Sequence, residues 1–424
     1  MIVEILVTRS SAAMADKSFK VYPYRWTILA VFMLVNIAIQ ILWICFAPIT
    51  GPAAKFWGVS DLRIGLLAMI FMIVYIPISI PVSWMIDTLG YRKSVNIGVG
   101  IMAVFGLLRG VFAANYTVVL ITTVALAVSQ PFMMNSISTV AAKWFPIQER
   151  ATASGLALVA NFLGIALGQV LSPVLFLRFG MVNMLLIYGG IAAFTAIIFV
   201  VFTREAPPTP PCPPGMETRA LMLDGLKSML KMKDVWIMLG LFLVGMGIFN
   251  GISTWIESIV RSRGFSISQA GNLGGVLLFG GIAGAIVLPI FSDRLHKRKI
   301  FMLLGMALAI PGMIGVIFAY QYWLTMVSMF FLGFFLISLA PVGYQYVAEI
   351  THPAPEGTSN GLLNLAGQAS VVFIYGMEAL KGKDGSFRPS LLVLAGLMVL
   401  CVFLILWLKE SAMVQPGKIL KEPK

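Results

Sequence analysis

Charge is scarce in this 424-residue chain. Only 11% of its residues are Asp, Glu, Lys or Arg, where a water-soluble domain carries about 25%. With 59% of residues hydrophobic, that scarcity excludes a soluble enzyme, a disordered chain and a coiled coil, and makes lipid the solvent for most of the protein. Three cysteines, Cys45, Cys212 and Cys401, cannot build a disulfide framework. The two histidines, His296 and His352, fall in short loops. No structural zinc or haem-iron cluster is therefore expected, and no metal or cofactor is predicted.

What the chain has in quantity is apolar runs long enough to cross a hydrocarbon core about 30 Å thick. Twelve are read: 25–49, 62–86, 94–113, 117–142, 151–177, 180–202, 235–260, 268–292, 300–320, 322–349, 356–380 and 387–408. An even number puts both termini on one side. Lys and Arg number 21 on that side and 7 on the other, so the positive-inside rule places both termini in the cytoplasm. The net charge of +13 is thus a topology signal with an attraction to anionic membrane lipid, and no nucleic-acid partner is expected. The first 24 residues carry Glu4, Arg9, Asp16, Lys17 and Lys20 without a clean apolar run, so they are read as a cytoplasmic N-terminus rather than a signal peptide, with Met14 an alternative start. The expected setting is the cytoplasmic (inner) membrane of a prokaryote, and the expected assembly a monomer.

Residues 203–234 interrupt the pattern with Pro207, Pro208, Pro210, Pro211, Pro213 and Pro214, a semi-rigid linker that cannot cross a bilayer. The chain divides accordingly into an N-terminal bundle (25–202), a cytoplasmic linker (203–234), a C-terminal bundle (235–408) and a tail (409–424). The halves repeat. Asp87, Leu89, Arg92 and Lys93 after span 2 recur as Asp293, Leu295, Arg298 and Lys299 after span 8, at a constant offset of 206. After spans 4 and 10, Pro146 and Glu149 recur as Pro353 and Glu356 at 207, and Thr152 recurs as Thr358 at 206.

Asp87 ends span 2, with Gly90 allowing a tight turn and Arg92 behind it. A carboxylate there can cap a neighbouring helix and pair with a cation of the other bundle, a latch that holds one of two conformations. Asp87, Gly90, Arg92, Asp293, Arg298, Glu349 and Glu356 are the gating candidates. The competing reading makes the basic residues solvated topology determinants.

Parallel six-helix repeats joined by a long cytoplasmic linker are similar to the major facilitator superfamily, and Ser83-x-x-x-Asp87-x-x-Gly90-x-Arg92-Lys93 resembles its signature between helices 2 and 3, departing at Ser83 where Gly is usual and, in the second half, at Pro289. The resemblance implies an all-α integral membrane protein of twelve transmembrane helices in two pseudo-symmetric bundles. A longer match is narrower. The stretch from Pro341 through Glu349-Ile-Thr-His-Pro353 and Glu356-Gly-Thr-Ser-Asn-Gly361-Leu-Leu-Asn364 to Gln368 resembles helices 10 and 11 of the transporters named after the feline leukaemia virus subgroup C receptor, the FLVCR family. Tyr22-Pro-x-Arg25-Trp26, Trp43-Ile44, Phe56-Trp-Gly58-Val59, Trp144-Phe145, Asn161 and Gly164 continue it. That family carries choline and ethanolamine, with haem export also proposed. Its helix 1 tryptophan falls on Trp43, its helix 4 and 11 glutamines on Gln130 and Gln368, and its helix 7 tyrosine on Asn250, which supplies an amide where a quaternary ammonium would want an aromatic face.

Polar side chains in mid-span are expensive in lipid and face the bundle interior. They are Asn36, Gln40 and Trp43; Gln130 and Asn135; Asn161; Asn250, Ser253 and Thr254; Tyr344 and Gln345; Asn364 and Gln368. The spacings 36–40–43 and 364–368 put each set on one helix face. Substrate contact and plain interhelical hydrogen bonding are both open for each amide. The substrate-binding candidates are Trp43, Gln130, Asn250, Gln368, Asn36, Gln40, Thr254 and Asn364. No Asp, Glu or His stands mid-span, which argues against proton coupling. Arg109 is the one deep charge, read as snorkelling outward rather than as an anion site. No nucleophile, base and orienting group can be assembled, so no catalytic residue is named. The expected function is facilitated transport of a small polar or cationic molecule. A polyspecific drug, organic-anion or haem exporter and a non-transporting receptor are the alternatives.

Overall fold

The computed structural model describes residues 20–211, 226, 228–352 and 356–411. The N-terminal residues before Lys20, Cys212 and most of the proline-rich linker, Pro353 and the tail beyond Ser411 lie outside the described residues. Among those described the chain is all helix, with no strand.

The first half runs through α1 (Tyr24–Ile44), a 3₁₀ turn (Ala47–Ile49), α2 (Thr50–Trp57), α3 (Asp61–Leu89), α4 (Tyr91–Val111), α5 (Tyr116–Met134), α6 (Ile137–Trp144) and α7 (Ile147–Phe202). The second runs through α8 (Lys233–Thr254), α9 (Ile256–Arg261), α10 (Ile267–Leu295), α11 (Arg298–Phe318), α12 (Tyr322–Ile337), α13 (Leu339–Ile350), α14 (Glu356–Ala369), α15 (Val371–Ala379) and α16 (Arg388–Trp407). Among the described residues ten helical runs are long and apolar enough to cross a membrane. The 56-residue α7 holds two crossings, because Gly180 at φ 76° turns the chain between them. A further crossing is made by α14 and α15 together, each too short alone. Large apolar side chains such as Trp84, Phe194, Ile197, Val201 and Phe279 point outward, as expected of surfaces that meet acyl chains.

The repeat is visible in the helix ends. Helices α3 and α10 share an offset of 206 at both ends, so Asp87 and Asp293 each stand two residues before a helix terminus. Their starts match too: Ser60 accepts from the Arg63 amide, and Ser266 forms a full capping box with Gln269. The halves meet where α14 and α15 lie against α3, and where α10 lies against the first arm of α7.

The spans read as continuous from hydropathy are broken in five places. Crossings 1 and 7 stop at Cys45 and Trp255, crossings 4 and 10 at Asn135–Ser136 and Ser338, and crossing 11 at Ser370. Hydropathy misses these breaks because the flanking residues are as apolar as the helices themselves. Interrupted helices free backbone carbonyls at membrane depth, which is tolerated only where protein or a cavity receives them.

Candidate functional site

The broken helices bring mid-span amides into two groups, one in each half. In the first, Gln40 Nε2 donates to Asn161 Oδ1 at 3.0 Å, and Gln130 Nε2 reaches Gln40 Oε1 at 3.4 Å. Helices 1, 4 and 5 are thereby joined by buried amides. Trp43, one turn along α1 from Gln40, is also buried, but its indole N–H is committed to the Ala68 carbonyl of α3 at 3.0 Å. Asn36 is fully buried, donates to the Phe32 carbonyl of its own helix, and leaves Oδ1 without a partner. At the break between α5 and α6, Asn135 accepts from Tyr75 at 2.6 Å and donates to Ser79 and Ser83 at 3.0 Å each. The serine that departs from the superfamily signature is therefore a hydrogen-bonding partner of the helix 4 break.

In the second half, Asn250 donates to Ser370 Oγ at 3.2 Å, tying helix 7 to the break in helix 11. Tyr344 donates to Asn364 Oδ1 at 2.5 Å. Thr254 is buried with an unpartnered hydroxyl. Gln368 is half-buried and makes no hydrogen bond among the described residues.

An apolar cavity of about 50 Å³ is lined by Phe162 of the first half, the chain neighbour of Asn161, and by Phe249 of the second, the chain neighbour of Asn250. Their ring centroids are 6.2 Å apart and the rings nearly perpendicular. The cavity wall also includes Phe242, Met246 and Met306 and both sides of the helix 10 break, Ile337 and Leu339. None of Trp43, Gln130, Asn250 and Gln368 lines this cavity. The aromatic surface comes instead from Phe162, Phe242 and Phe249, of which Phe249 is the 206-residue counterpart of Trp43.

Arg109 does not snorkel. It is fully buried, Nη1 donating to the Leu42 carbonyl at 3.0 Å, with Cys45 Sγ 3.7 Å from Nη2 and the Phe46 ring 5.4 Å from the guanidinium carbon. The reason is the break in helix 1. Its last turn presents carbonyls at a negative helix end, and a cation there meets both the orphan oxygens and the dipole.

At the end that holds the termini, the helices following Asp87 and Asp293 are capped by two carboxylates that the sequence reading did not single out. Glu205 accepts from the Tyr91 and Arg92 amides at 3.2 and 2.8 Å, and Glu410 from the Arg298 and Lys299 amides at 2.7 and 3.1 Å. Gly90, at φ 87°, makes the turn and leaves room for Glu205. Arg92 Nη2 reaches the Val200 carbonyl at 3.4 Å. Arg298 pairs with Asp293 and, at 2.9 Å, with Glu349. The contacts described for Arg92, Asp293, Arg298 and Glu349 thus close within one half. Asp87 is exposed. Glu356 opens α14, but its side chain is outside the described residues. A shared offset, Arg204-Glu205 against Lys409-Glu410 at 205, is the signal that could have found the caps.

The ion pairs that join the halves, among the described residues, lie at the opposite end and share Asp61. Arg261 meets Asp61 Oδ2 at 3.0 Å and Lys381 meets it at 3.5 Å. Glu257, almost fully buried, takes Arg261 at 2.5 Å and the Gly51 amide of the other half at 3.1 Å. The Glu257 carboxylate, with Asp61 behind it, holds the Arg261 guanidinium above its ordinary value against the opposing effect of burial. Gln169 of α7 donates to the Ser253 carbonyl at 2.8 Å, and Trp255 stacks over Gly65. Sequence reading missed this closure, having counted Arg261 and Lys381 only as loop charges.

The sequence profile of the Major Facilitator Superfamily matches residues 28–297 and 256–423. Solute carrier family 49 member A3 of Danio rerio is 32% identical over 94% of this chain and 90% of its own length. Choline/ethanolamine transporter FLVCR2 of Homo sapiens is 27% identical over 93% of this chain and 78% of that one. The crystal structure of a bacterial homolog to the human lysosomal transporter Spinster, inward-facing and unoccupied, superposes with a TM-score of 0.73 at 18% identity, covering 91% and 97% of the two chains, and shares the fold. These curated relatives are vertebrate proteins, whereas the sequence reading expected a prokaryotic membrane.

Proposed function

Because the chain belongs to the major facilitator superfamily and resembles its FLVCR family, we propose that it is a facilitative carrier of a small polar or cationic metabolite, choline- or ethanolamine-like, working by alternating access. In this reading both termini are cytoplasmic, the carrier acts as a monomer, and residues 25–202 rock against 235–408. The observation that supports it most is the hydrogen-bonded set of Gln40, Gln130 and Asn161, the last of them next in the chain to Phe162, whose ring meets Phe249 of the other half. Amides orient a hydroxyl or amine, and each aromatic face is worth about 0.5–2 kcal/mol to an onium group. The Asp61 ion pairs are the outer gate in this scheme, and the Asp293, Arg298 and Glu349 cluster helps shape the inner one. A polyspecific exporter is the second reading, favoured by the apolar lining of the cavity. Its organic-anion form has little support, since Arg109 is spent on the Leu42 carbonyl.

Uptake of radiolabelled choline and ethanolamine into proteoliposomes holding the full chain tests the proposal. Gln40→Leu and Gln130→Leu should each reduce uptake by roughly 5- to 150-fold, the scale of about 1–3 kcal/mol for stranding a buried polar partner. Absence of uptake for both compounds, or uptake indifferent to both substitutions, refutes it.

A further inference from the structure

The cavity at Phe162 and Phe249 has no polar side chain in its lining. An amine, hydroxyl or carboxylate would lose its water there and gain nothing. A site for a purely polar solute has no use for such a space. The amides, by contrast, adjoin the lining in the chain: Asn161, which receives Gln40, precedes Phe162, and Asn250 follows Phe249. Resting on the carrier reading above, we infer that the transported molecule is amphipathic, with a polar head held by the amides and a short apolar arm seated in this cavity.

The size of the arm follows from the space. An apolar cavity of about 150 Å³ takes up benzene. One of about 50 Å³ accommodates roughly two carbons on the same scale, so an arm whose first carbon stays beside the head extends to about propyl. Met238, Met246, Met302 and Met306 supply much of the wall, and unbranched thioethers adapt to arms of somewhat different shape. Both sides of the helix 10 break, Ile337 and Leu339, line the cavity, so an occupying arm touches an element that already departs from regular helix.

The test uses the purified full chain and two series of probes, alkyltrimethylammonium ions and neutral N-alkylacetamides, with arms from methyl to hexyl. Each buried methylene should tighten binding about fourfold. Affinity is expected to rise about 16-fold from methyl to propyl in at least one series and then to level off. Gly245 lines the cavity, and a Cβ placed there meets nothing within 4 Å, so a side chain can start there without a clash and Gly245→Leu adds bulk to the cavity. It should reduce the methyl-to-propyl rise below about twofold, and Ala340→Leu, in α13, should do the same.

A rise confined to the acetamides supports the arm and removes the onium head. A wild-type series without a rise, a rise unchanged in both filled variants, or no binding of any probe overturns the inference. Binding does not require flux, so a carrier reading that fails shows separately, as absent uptake into proteoliposomes.

Discussion

Substituting Gly65 by Ala should push the outer end of the molecule open. A Cβ at this position would lie 2.7 Å from Trp255 Cζ2 and closer still to Cη2, well inside ordinary contact. Trp255 has nowhere to go: it is fully buried, its indole N–H is held by the Ile374 carbonyl at 2.9 Å, and its ring packs against Phe387 at 5.6 Å. Gly65 and Trp255 belong to different halves, so the overlap exists only while the outer end is shut. Overpacking of this kind costs about 1–3 kcal/mol, borne by one conformation alone, and shifts the equilibrium toward the outward-open form by roughly 5- to 150-fold. Spin labels at Lys55 and Gln321, exposed at the outer end of opposite halves, report the change as a longer distance in pulsed-dipolar measurements on the full chain in liposomes. Gly100→Ala, where a Cβ meets nothing within 4 Å, serves as the control. An unchanged or shortened distance in Gly65→Ala, with the protein still folded, refutes the reasoning.

Arg109→Leu should lower thermal stability by about 1.5–3 kcal/mol through loss of the bond to the Leu42 carbonyl, while leaving the preference between cationic and anionic probes unchanged; a switch in that preference, read by competition binding, would place the cation in the substrate path. Glu205→Gln and Glu410→Gln should each cost about 0.5–2 kcal/mol, and by similar amounts, because they cap the equivalent helices α4 and α11; denaturation midpoints that differ widely would contradict the equivalence. Exchange of choline between pH 6 and 8, at zero membrane potential, should be flat. Arg261, raised by Glu257, stays charged throughout that range, and no Asp, Glu or His stands mid-span. Accumulation driven by a pH gradient alone would overturn this and direct attention to Glu257 or Glu349.

The repeat was legible because it is written in local chemistry. Asp87 and Asp293 stand at equivalent helix ends since loop residues at a fixed offset stop equivalent helices. The amides at 40, 130 and 161 were legible as interior because lipid leaves them no other place. Their partners were not. That Trp43 would give its N–H to Ala68, or that Asn250 would find Ser370, depends on how far each helix rotates in the bundle, which periodicity does not specify. The Arg109 assignment failed for a related reason. Depth in the sequence was read correctly, but the helix 1 break that receives the guanidinium left no hydropathy signal. The ion pairs between the halves were hidden because Asp61, Glu257, Arg261 and Lys381 lie in three segments of two halves, and ordinary loops carry such charges too.

Near the Asp61 ion pairs, the two halves of this duplicated chain meet at equivalent positions. The Gly51 amide donates to Glu257, and these two residues are themselves 206 apart: each touches its own repeat equivalent. Such positions sit on the pseudo-twofold axis. In a symmetric pair of half-length chains, both copies would carry the same residue there, since an isologous interface puts identical groups face to face on its axis. Two glutamates would repel, and two glycines would offer no acceptor for either amide. Fusion into one chain frees the two positions to diverge, so that one side provides a bare backbone donor and the other a carboxylate. This point of closure is therefore a place where the molecule is asymmetric, and an arrangement that a homodimer of the same fold could not encode.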